Sequence, residues 1–481
     1  MKNDMERCQI VYDVLKTHIQ FGAYRFGDVL PTMENNTENF LVSLDTIRSA
    51  YLQLEQEGYV TLSQNVGSTV IKDYGEQEIE QHVQLFFSPR KSALIDLSRS
   101  LRPLFTNAQW IGLKNAPGEI YTNMMERKRN HGLQPFIAFN HMMQAYDSLG
   151  NDLLTRLLWQ VYMFFEAPFL CVPDNPWCDY AVNEFAPRSL DFCLNQDWDP
   201  LRELICQAQD FLSVSLCEFY KERITLPPQD EISFTWNSYK KASQICYSLA
   251  MDLLIDISLG RYPVDTLLPS LNRLSKERNV SVSTVRRTLS LLNGVGAVKS
   301  MKRIGTKVLP FHETAGNCDF DNPVVRKRLL DMAQSLQILT LSCKEVSELT
   351  ISSLDAEQMQ KSIEFLTTME ARQMYHLIAY DALDLLRQFA PYRAVRTVYS
   401  ELLKQLFWGY GLRSMWKEDE GQTDFCLSYY KTLLQSLKDR DPIRFSGDLE
   451  ALMIHEFRLA ITKLVRLGIG EAERLLIPDL R

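Results

Sequence analysis

The sequence has no apolar run long enough to cross a membrane. Its longest apolar stretch, residues 157–172, is interrupted by Gln160 and Glu166. It is also shorter than the roughly 20 residues that a transmembrane helix needs. The first residues, MKNDMERCQ, contain no apolar segment of the kind that a secretory signal requires. We therefore expect a soluble, cytoplasmic protein.

Patterns typical of metal or disulfide sites are also missing. The ten cysteines include no Cys-x-x-Cys pair, and the closest two are Cys171 and Cys178. Scattered cysteines among apolar neighbours are typical of buried, reduced thiols, so we expect neither disulfides nor a zinc site. The seven histidines are too few and too dispersed to predict a metal centre. Those that we interpret as ordinary side chains are His131, His141, His376 and His455.

Common catalytic motifs are absent as well. The glycines at 468 and 470 lack the third glycine and the preceding strand of a nucleotide-binding loop. His455 and Glu456 are not followed by the second histidine of a zinc protease, and there is no Gly-x-Ser-x-Gly elbow. We predict no catalytic residues and no cofactor, with an effector-binding enzyme left as an alternative.

What remains is an ordinary globular composition. Apolar residues make up 46% and charged residues 23% of 481 positions, enough for about three domains. The formal net charge of −8 argues, as an average, against binding to nucleic acid. The distribution of that charge along the chain changes this interpretation.

The chain contains one sequence module twice. Shifting the sequence by 238 residues aligns 22–70 with 260–308 without a gap, and 13 of the 49 positions are identical. The identical positions of the first copy are Gly22, Tyr24, Leu30, Pro31, Val42, Ser43, Thr46, Arg48, Leu54, Gly58, Val60, Gly67 and Val70. A repeat of this density predicts two domains of the same fold.

The residues at which the helices of the module would begin and end are placed as in a winged helix-turn-helix. In the first copy, an apolar stretch of helical period ends at Gly22, and Thr32 after Leu-Pro is placed to cap a short helix. Ser43 is placed to cap the next helix, which ends at Gly58. Two short extended segments follow, the second ending at Val70. The fold class we predict is therefore mainly α: two winged helices, each with three helices and a β-hairpin, alternating with two all-helical bundles.

The order Gly…Leu-Pro-Ser/Thr…Val-Ser-x-x-Thr-Val/Ile-Arg…Leu-x-x-x-Gly-x-Val…Gly-Ser/Thr-x-Val resembles the DNA-binding domain of GntR-family bacterial transcription regulators. The resemblance implies a recognition helix in the major groove and a wing that reaches toward the minor groove. In the first copy it implies a DNA-facing set of Thr32, Ser43, Thr46, Arg48, Gly67 and Ser68. In the second copy the set is Ser270, Ser281, Thr284, Arg286, Gly305 and Thr306.

Both copies depart from the family at two arginine positions. Glu34 and Leu44 stand there in the first copy, and Asn272 and Val282 in the second. Arginine is the side chain that reads guanine with two hydrogen bonds, so direct base readout is expected to be reduced.

Charge separates the two copies. Residues 1–75 contain six Lys and Arg against ten Asp and Glu, a net −4, whereas residues 240–310 contain twelve against four, a net +8. Phosphate neutralisation dominates affinity for duplex DNA, so we predict that the second copy is the better DNA binder. Its additional basic residues are Arg287, Lys299, Lys302, Arg303 and Lys307. The acidic first copy could instead be structural or contact a protein.

The remaining sequence is predicted to be helical. We expect four domains, at residues 1–75, 76–238, 239–311 and 312–481. The segment 139–154 is similar to part of the FCD effector domain, although His141 is displaced by one residue. Later metal-binding histidines of that domain correspond to Arg188 and Tyr430, so no metal site is predicted.

Two further features of these regions bear on function. An acidic effector could be bound by Arg99, Arg102 or Arg127, although solvation on a helix surface is the interpretation we favour. Asp199-Pro200 and Asp441-Pro442 repeat as a pair, and we interpret each as a helix start with aspartate as the cap.

We predict a sequence-specific, DNA-binding transcription regulator of GntR type whose DNA binding is modulated by a small-molecule effector. The DNA partner would be an operator with pseudo-palindromic or unequal half-sites, because one chain supplies two winged helices. The chain would act as a pseudo-dimeric monomer or as a homodimer. The alternative is a protein-interaction scaffold with degenerate winged helices.

Overall fold

The chain forms two compact units, each of which contains one copy of the repeat. The computed structural model describes residues 2–40, 42–63, 67–120, 143–172, 175–238, 245–372, 375–414 and 420–480. The first unit comprises Met1–Leu149 and Thr155–Phe234, and the second comprises Gly150–Leu154 and Thr235–Arg481. The described residues are mainly helical and include two small antiparallel sheets, so the predicted fold class is confirmed.

The first winged-helix domain has the predicted order of elements. Its helices are Lys2–Gln20, Met33–Phe40 and Leu44–Gln56, and its strands are Val60–Ser63 and Gly67–Val70. We call Leu44–Gln56 the first recognition helix and the strand pair the first wing. The Ser43 side chain accepts a hydrogen bond from the Thr46 N–H at 3.3 Å, which is why the first recognition helix begins there.

The second winged-helix domain repeats this arrangement. Its helices are Ile245–Ser258, Leu271–Glu277 and Val282–Gly294, and its strands are Val298–Met301 and Gly305–Val308. We call Val282–Gly294 the second recognition helix and this strand pair the second wing. Val298 pairs with Val308 as Val60 pairs with Val70, a register conserved at the 238-residue offset.

Two smaller contacts also recur at the same offset. Val29 bridges to Thr69 in the first domain, and Leu267 bridges to Lys307 in the second. Val29 and Leu267 thus each add a third short extended segment beside the wing of their own domain. The duplication seen in the sequence therefore extends to individual backbone pairings.

Helices dominate the remainder of the chain. Those described between residues 76 and 234 are Glu76–Phe87, Lys91–Lys114, Asp152–Val161, Ala167–Leu170, Pro176–Tyr180, Ala186–Asn195 and Trp198–Glu222, with π-helical turns at Tyr162–Glu166 and Ala181–Phe185. Those described after residue 310 are Thr314–Asn317, Pro323–Ser353, Ala356–Arg372, Ile378–Phe389, Arg393–Gln405, Tyr410–Ser414, Glu420–Asp439 and Pro442–Arg466. Short 3-10 turns lie at Ser88–Arg90, Phe311–Glu313, Tyr375–Leu377, Leu406–Gly409, Gly470–Leu475 and Pro478–Leu480.

One long helix pair organises the helical part of each unit. Lys91–Lys114 packs along Trp198–Glu222 in the first unit, and Pro323–Ser353 packs along Pro442–Arg466 in the second. Pro323–Ser353 is buried around most of its circumference, as expected for the central helix of a bundle. The division of the units into four domains, with boundaries after residues 75, 238 and 311, stays a prediction.

The two predicted helix starts have different outcomes. The prediction is confirmed at Asp441, whose side chain accepts the Arg444 N–H at 3.0 Å before a helix that begins at Pro442. It is wrong at Asp199, because that helix begins at Trp198. Proline is tolerated throughout a first helical turn, where backbone N–H groups have no partner within the helix, so the sequence alone did not fix the boundary.

Candidate nucleic-acid interface

The second recognition helix presents two adjacent arginines. Its cap, Ser281, accepts a hydrogen bond from the Thr284 N–H at 3.1 Å and lies 2.8 Å from the Thr284 hydroxyl. Arg286 and Arg287 follow within the first two turns and are exposed. Arg286 forms no ion pair with any residue that the structure describes. Its charge is therefore available to an anionic partner.

The second wing adds three exposed cations beside this helix. Lys299, Lys302 and Arg303 are exposed and have no ion-pair partner within the described part of the chain. Lys307 differs, because its ammonium lies 2.6 Å from the Asp265 carboxylate. The Ser300 N–H donates to Asn293 Oδ1 at 3.1 Å, which ties the second wing to the second recognition helix. A basic ribbon and a basic helix are thus held together in one domain.

The middle helices begin at the predicted caps. Ser270 accepts the Arg273 N–H at 3.4 Å, and Thr32 accepts the Asn35 N–H at 3.1 Å. Both cap residues are exposed. An exposed hydroxyl beside unpaired N–H groups at a helix N-terminus is a suitable contact for a phosphate.

Three of the residues expected to face DNA have buried side chains. Thr46, Ser68 and Thr306 are only 2%, 7% and 8% exposed. The Thr46 hydroxyl lies 2.8 Å from the Ser43 hydroxyl, and that of Thr306 lies 3.4 Å from the Ser300 hydroxyl. Burial leaves little of these side chains exposed to a partner, and their place in a DNA-facing set stays a prediction.

The first recognition helix has a different electrostatic surface. Arg48 is exposed, but its guanidinium lies 3.8 Å from the carboxylate of Asp45 in the same helix. The second copy has Ser283 at the position of Asp45, so Arg286 has no such acidic neighbour. Gly67 is exposed at the start of the second strand of the first wing. Gln64, Asn65 and Val66, which join the two strands of the first wing in the sequence, lie outside the described residues.

An ionic cluster around one buried carboxylate distinguishes the second winged-helix domain from the first. The carboxylate of Asp256, a residue 5% exposed, binds the guanidinium groups of Arg261 at 2.6 Å and Arg278 at 2.5 Å. The sequence analysis missed this cluster. The available signal was an aspartate on the apolar face that Leu249 and Leu253 define, because seven residues are close to two helical turns.

The first domain has His18 where the second has Asp256. His18 is buried, its ring centroid lies 5.8 Å from that of Tyr24, and burial lowers its pKa to about 3. The residues matching Arg261 and Arg278 are Ala23 and Phe40. A neutral, largely apolar set therefore replaces the ionic cluster of the second domain.

Other predicted site residues lie apart from the winged helices. In the helical part of the first unit, Arg102 pairs with Asp210, and Arg99 is exposed. Arg127, His131 and His141 lie outside the described residues. No group of three or more His, Cys, Asp or Glu side chains is placed to hold a metal ion in the part of the chain that the structure describes.

Of the four histidines interpreted above as ordinary side chains, His376 and His455 lie within the described residues and have different environments. The His455 ring lies 4.0 Å from the Phe425 ring, and burial followed by the charge of Arg458 lowers its pKa. His376 lines a small cavity in the second unit.

A family model for bacterial regulatory proteins of the gntR family matches residues 8–70 and 248–308. The chain carries the gntR-family domain twice. The matched ranges coincide with the two winged-helix domains built above, so these two domains are of the type that DNA-binding transcription regulators of this family carry. The helical regions have no counterpart in these two matches, so their likeness to the FCD domain stays a prediction.

Solved gntR-type structures resemble parts of this chain. GntR of Streptococcus agalactiae is 15% identical, with 44% of this chain and 98% of that one covered and a TM-score of 0.22. A GntR family member of Pseudomonas syringae pv. tomato is 19% identical, with 48% and 90% covered and a TM-score of 0.20. With identities and TM-scores this low, the family assignment rests on the two domain matches. No curated protein matches the chain significantly.

No helix among the described residues is both long and apolar enough to cross a membrane.

Proposed function

We propose that this gntR-family regulator contacts its operator mainly through the second winged-helix domain. The observation that carries this proposal is the group of exposed cations on one helix and its attached wing. These are Arg286, Arg287, Lys299, Lys302 and Arg303. Affinity for duplex DNA depends on the number of phosphates that such cations neutralise. The corresponding surface of the first domain has one recognition-helix arginine, and Asp45 lies beside it.

The helical part of the second unit offers a place for a small-molecule effector. A cavity of about 50 Å³ there is lined by apolar side chains and by His376, Tyr380 and Glu456. The apolar members of the lining are Met332, Leu336, Leu377, Ala379, Leu383, Leu406 and Met453. Small-molecule sites combine an apolar lining with a few polar groups in the same way, but they are larger than this cavity, so an effector would have to widen it on binding. Its occupation would shift the protein between conformations of different DNA affinity.

Packing within the second unit gives such a signal a direct route to the DNA-binding domain. Helix Ile245–Ser258 of the second winged-helix domain packs on Arg393–Gln405 and on Leu406–Gly409. Leu406 also lines the cavity. The Arg328 guanidinium stacks 4.3 Å from the centroid of the Tyr247 ring, across the same junction. A ligand that moves Leu406 would therefore press on the first helix of the DNA-binding domain.

The first experiment is a titration of the purified full chain against genomic fragments that include its own upstream region, at two salt concentrations. We expect tight, fragment-selective binding that weakens steeply as salt rises. Footprinting would then give the number of half-sites. Binding no stronger than to random fragments, with and without a soluble metabolite extract, would contradict the proposal. It would favour the alternative that the winged helices bind another protein.

The effector proposal is tested by filling the cavity. Ala379→Leu adds side-chain volume to the cavity lining, whereas Ala451→Leu adds the same volume at an exposed position of helix Pro442–Arg466. We expect a metabolite extract to change the DNA affinity of wild type and of the Ala451→Leu control but not of Ala379→Leu. An unchanged response in Ala379→Leu would place the effector elsewhere.

A further inference from the structure

The tip of the second wing carries an exposed branched apolar side chain. Ile304 is 64% exposed and directly follows Lys302 and Arg303. Single exposed apolar residues are common on protein surfaces and need no explanation by themselves. Ile304 differs through its place at the tip of a hairpin, between two exposed cations and a glycine. The first copy has Val66, also β-branched and apolar, at the matching position of its sequence.

The backbone of this tip is held in an unfavourable conformation. The Ile304 N–H donates to the Met301 carbonyl at 3.2 Å, which closes a tight turn. Arg303 occupies the left-handed region with φ +65°, where residues with a β-carbon are rarely found. Glycine or asparagine would fit this position without strain. The tip therefore carries a basic side chain at a position where glycine would suit the turn better.

The wing beneath the tip is supported by apolar packing. The side chain of Leu267 lies about 3.5 Å from the place where a β-carbon of Gly305 would be, and the backbone of Leu267 bridges to Lys307. The tip is thus a narrow ribbon of three loop residues on a base that is tied to the second recognition helix. If this helix lies in the major groove, the attached ribbon meets the neighbouring minor groove, about 6 Å wide.

We propose that Ile304 is a wedge that inserts between two base pairs from the minor groove and bends the operator. The inference rests on the proposed function of the second winged-helix domain. Proteins that bend DNA from the minor groove combine a basic anchor with an inserted Ile, Leu, Met or Phe side chain. Lys302 and Arg303 would provide the anchor on the phosphates. Sequence selectivity would then favour flexible pyrimidine–purine steps at the insertion point.

The test compares Ile304→Ala with Leu259→Ala in the full chain. Leu259 is also 64% exposed and lies in the same domain, so the control removes a similarly exposed apolar side chain away from the wing. The probes are duplex fragments from the upstream region, with affinity measured by titration and bending by circular-permutation gel mobility. We expect Ile304→Ala to weaken binding about tenfold and to reduce the bend. Leu259→Ala should change neither quantity.

Three further results distinguish a failure of the wedge from a failure of the proposed DNA-binding function. The salt slope of Ile304→Ala should equal that of wild type, because no phosphate contact is lost, and Ile304→Met should restore the bend. A wild-type complex that is unbent, or an Ile304→Ala complex with unchanged bend and affinity, would overturn the wedge and leave the proposed function standing. A wild-type chain that binds no fragment selectively would overturn both.

Discussion

The two winged-helix domains share a backbone and differ in nearly every charged contact. Strand register, helix caps and bridges recur at the 238-residue offset, down to Leu62 N–H bonding to Glu55 and Ser300 N–H bonding to Asn293. The first domain nevertheless has a net charge of −4 over residues 1–75, and the second has +8 over residues 240–310. Duplication therefore preserved what specifies the fold and left the surface free to diverge.

The interiors diverged in a coordinated way. Asp256 of the second domain binds two arginines, whereas the first domain has histidine, alanine and phenylalanine at the three matching positions. A buried carboxylate without its partners would be costly, so these positions had to change together. The comparison shows that one fold can be stabilised by an ionic cluster or by neutral packing.

The largest expected difference in stability between the two domains arises at two corresponding glycines, Gly296 and Gly58. Gly296 has φ +78°, and a β-carbon there would lie 2.3 Å from the Thr314 carbonyl oxygen. Gly58 has φ +71° but no atom within 4 Å of that place. We expect Gly296→Ala to lower the local free energy of opening by roughly 3–4 kcal/mol and Gly58→Ala by about 1 kcal/mol. Hydrogen exchange of the two recognition helices measures both. Equal losses would contradict the packing difference.

Removing the buried carboxylate tests the ionic cluster. Asp256→Ala leaves Arg278 partly buried without its partner, and we expect protection of the second recognition helix to fall by roughly 2–3 kcal/mol. This figure allows for the solvent exposure of both arginines. Ser258→Ala, an exposed change on the same helix, is the control, with a loss below about 0.5 kcal/mol. If both variants behave alike in hydrogen exchange, the cluster contributes no stability.

Acid should destabilise the first domain through His18. Its pKa is about 3 in the folded chain and 6.5 when unfolded, so the unfolded state binds the additional proton. Its stability contribution is complete above pH 6.5 and is lost as pH falls toward 3. At pH 5 the expected loss is about 2 kcal/mol. Hydrogen exchange of helix Lys2–Gln20, corrected for intrinsic rates, should show this loss in wild type and not in His18→Gln. An identical pH dependence in both proteins would refute it.

Exchanging one side chain between the recognition helices should alter DNA affinity modestly. Ser283→Asp gives the second helix the carboxylate that Asp45 supplies in the first. We expect about a five- to tenfold loss of affinity, because the new charge neutralises Arg286 and repels phosphate. Ser283→Asn, which adds the same volume without charge, should stay within about twofold of wild type. Fluorescence titration against an upstream fragment measures both, and equal losses would make the effect steric.

Local features of the fold could be predicted from the sequence because short-range rules govern them. Ser43 and Ser281 cap the recognition helices as predicted, and the offset of 238 located the second wing. Contacts between residues distant in sequence could not be predicted. The pairing of Asp256 with Arg278 depends on how two helices cross, and the burial of Thr46 depends on which face of its helix is packed.

The candidate site was predicted only in part for the same reason. Counting charge along the sequence identified the basic domain, because each arginine or lysine adds separately to the affinity for DNA. The proximity of Arg48 to Asp45 follows from positions three apart on a helix, and a count of charges alone does not show it. The strained turn at Arg303 has no sequence signal, because arginine does not favour that conformation.

The most direct test of the central claim is the salt dependence of DNA binding by two variants. Arg286→Ala combined with Arg287→Ala removes the cations of the second recognition helix, and Arg48→Ala removes that of the first. We predict about a hundredfold loss of affinity at low salt for the double variant, with a slope of log K against log salt shallower by about 2. Arg48→Ala should change affinity less than about twofold. A comparable loss from Arg48→Ala, or none from the double variant, would contradict the account.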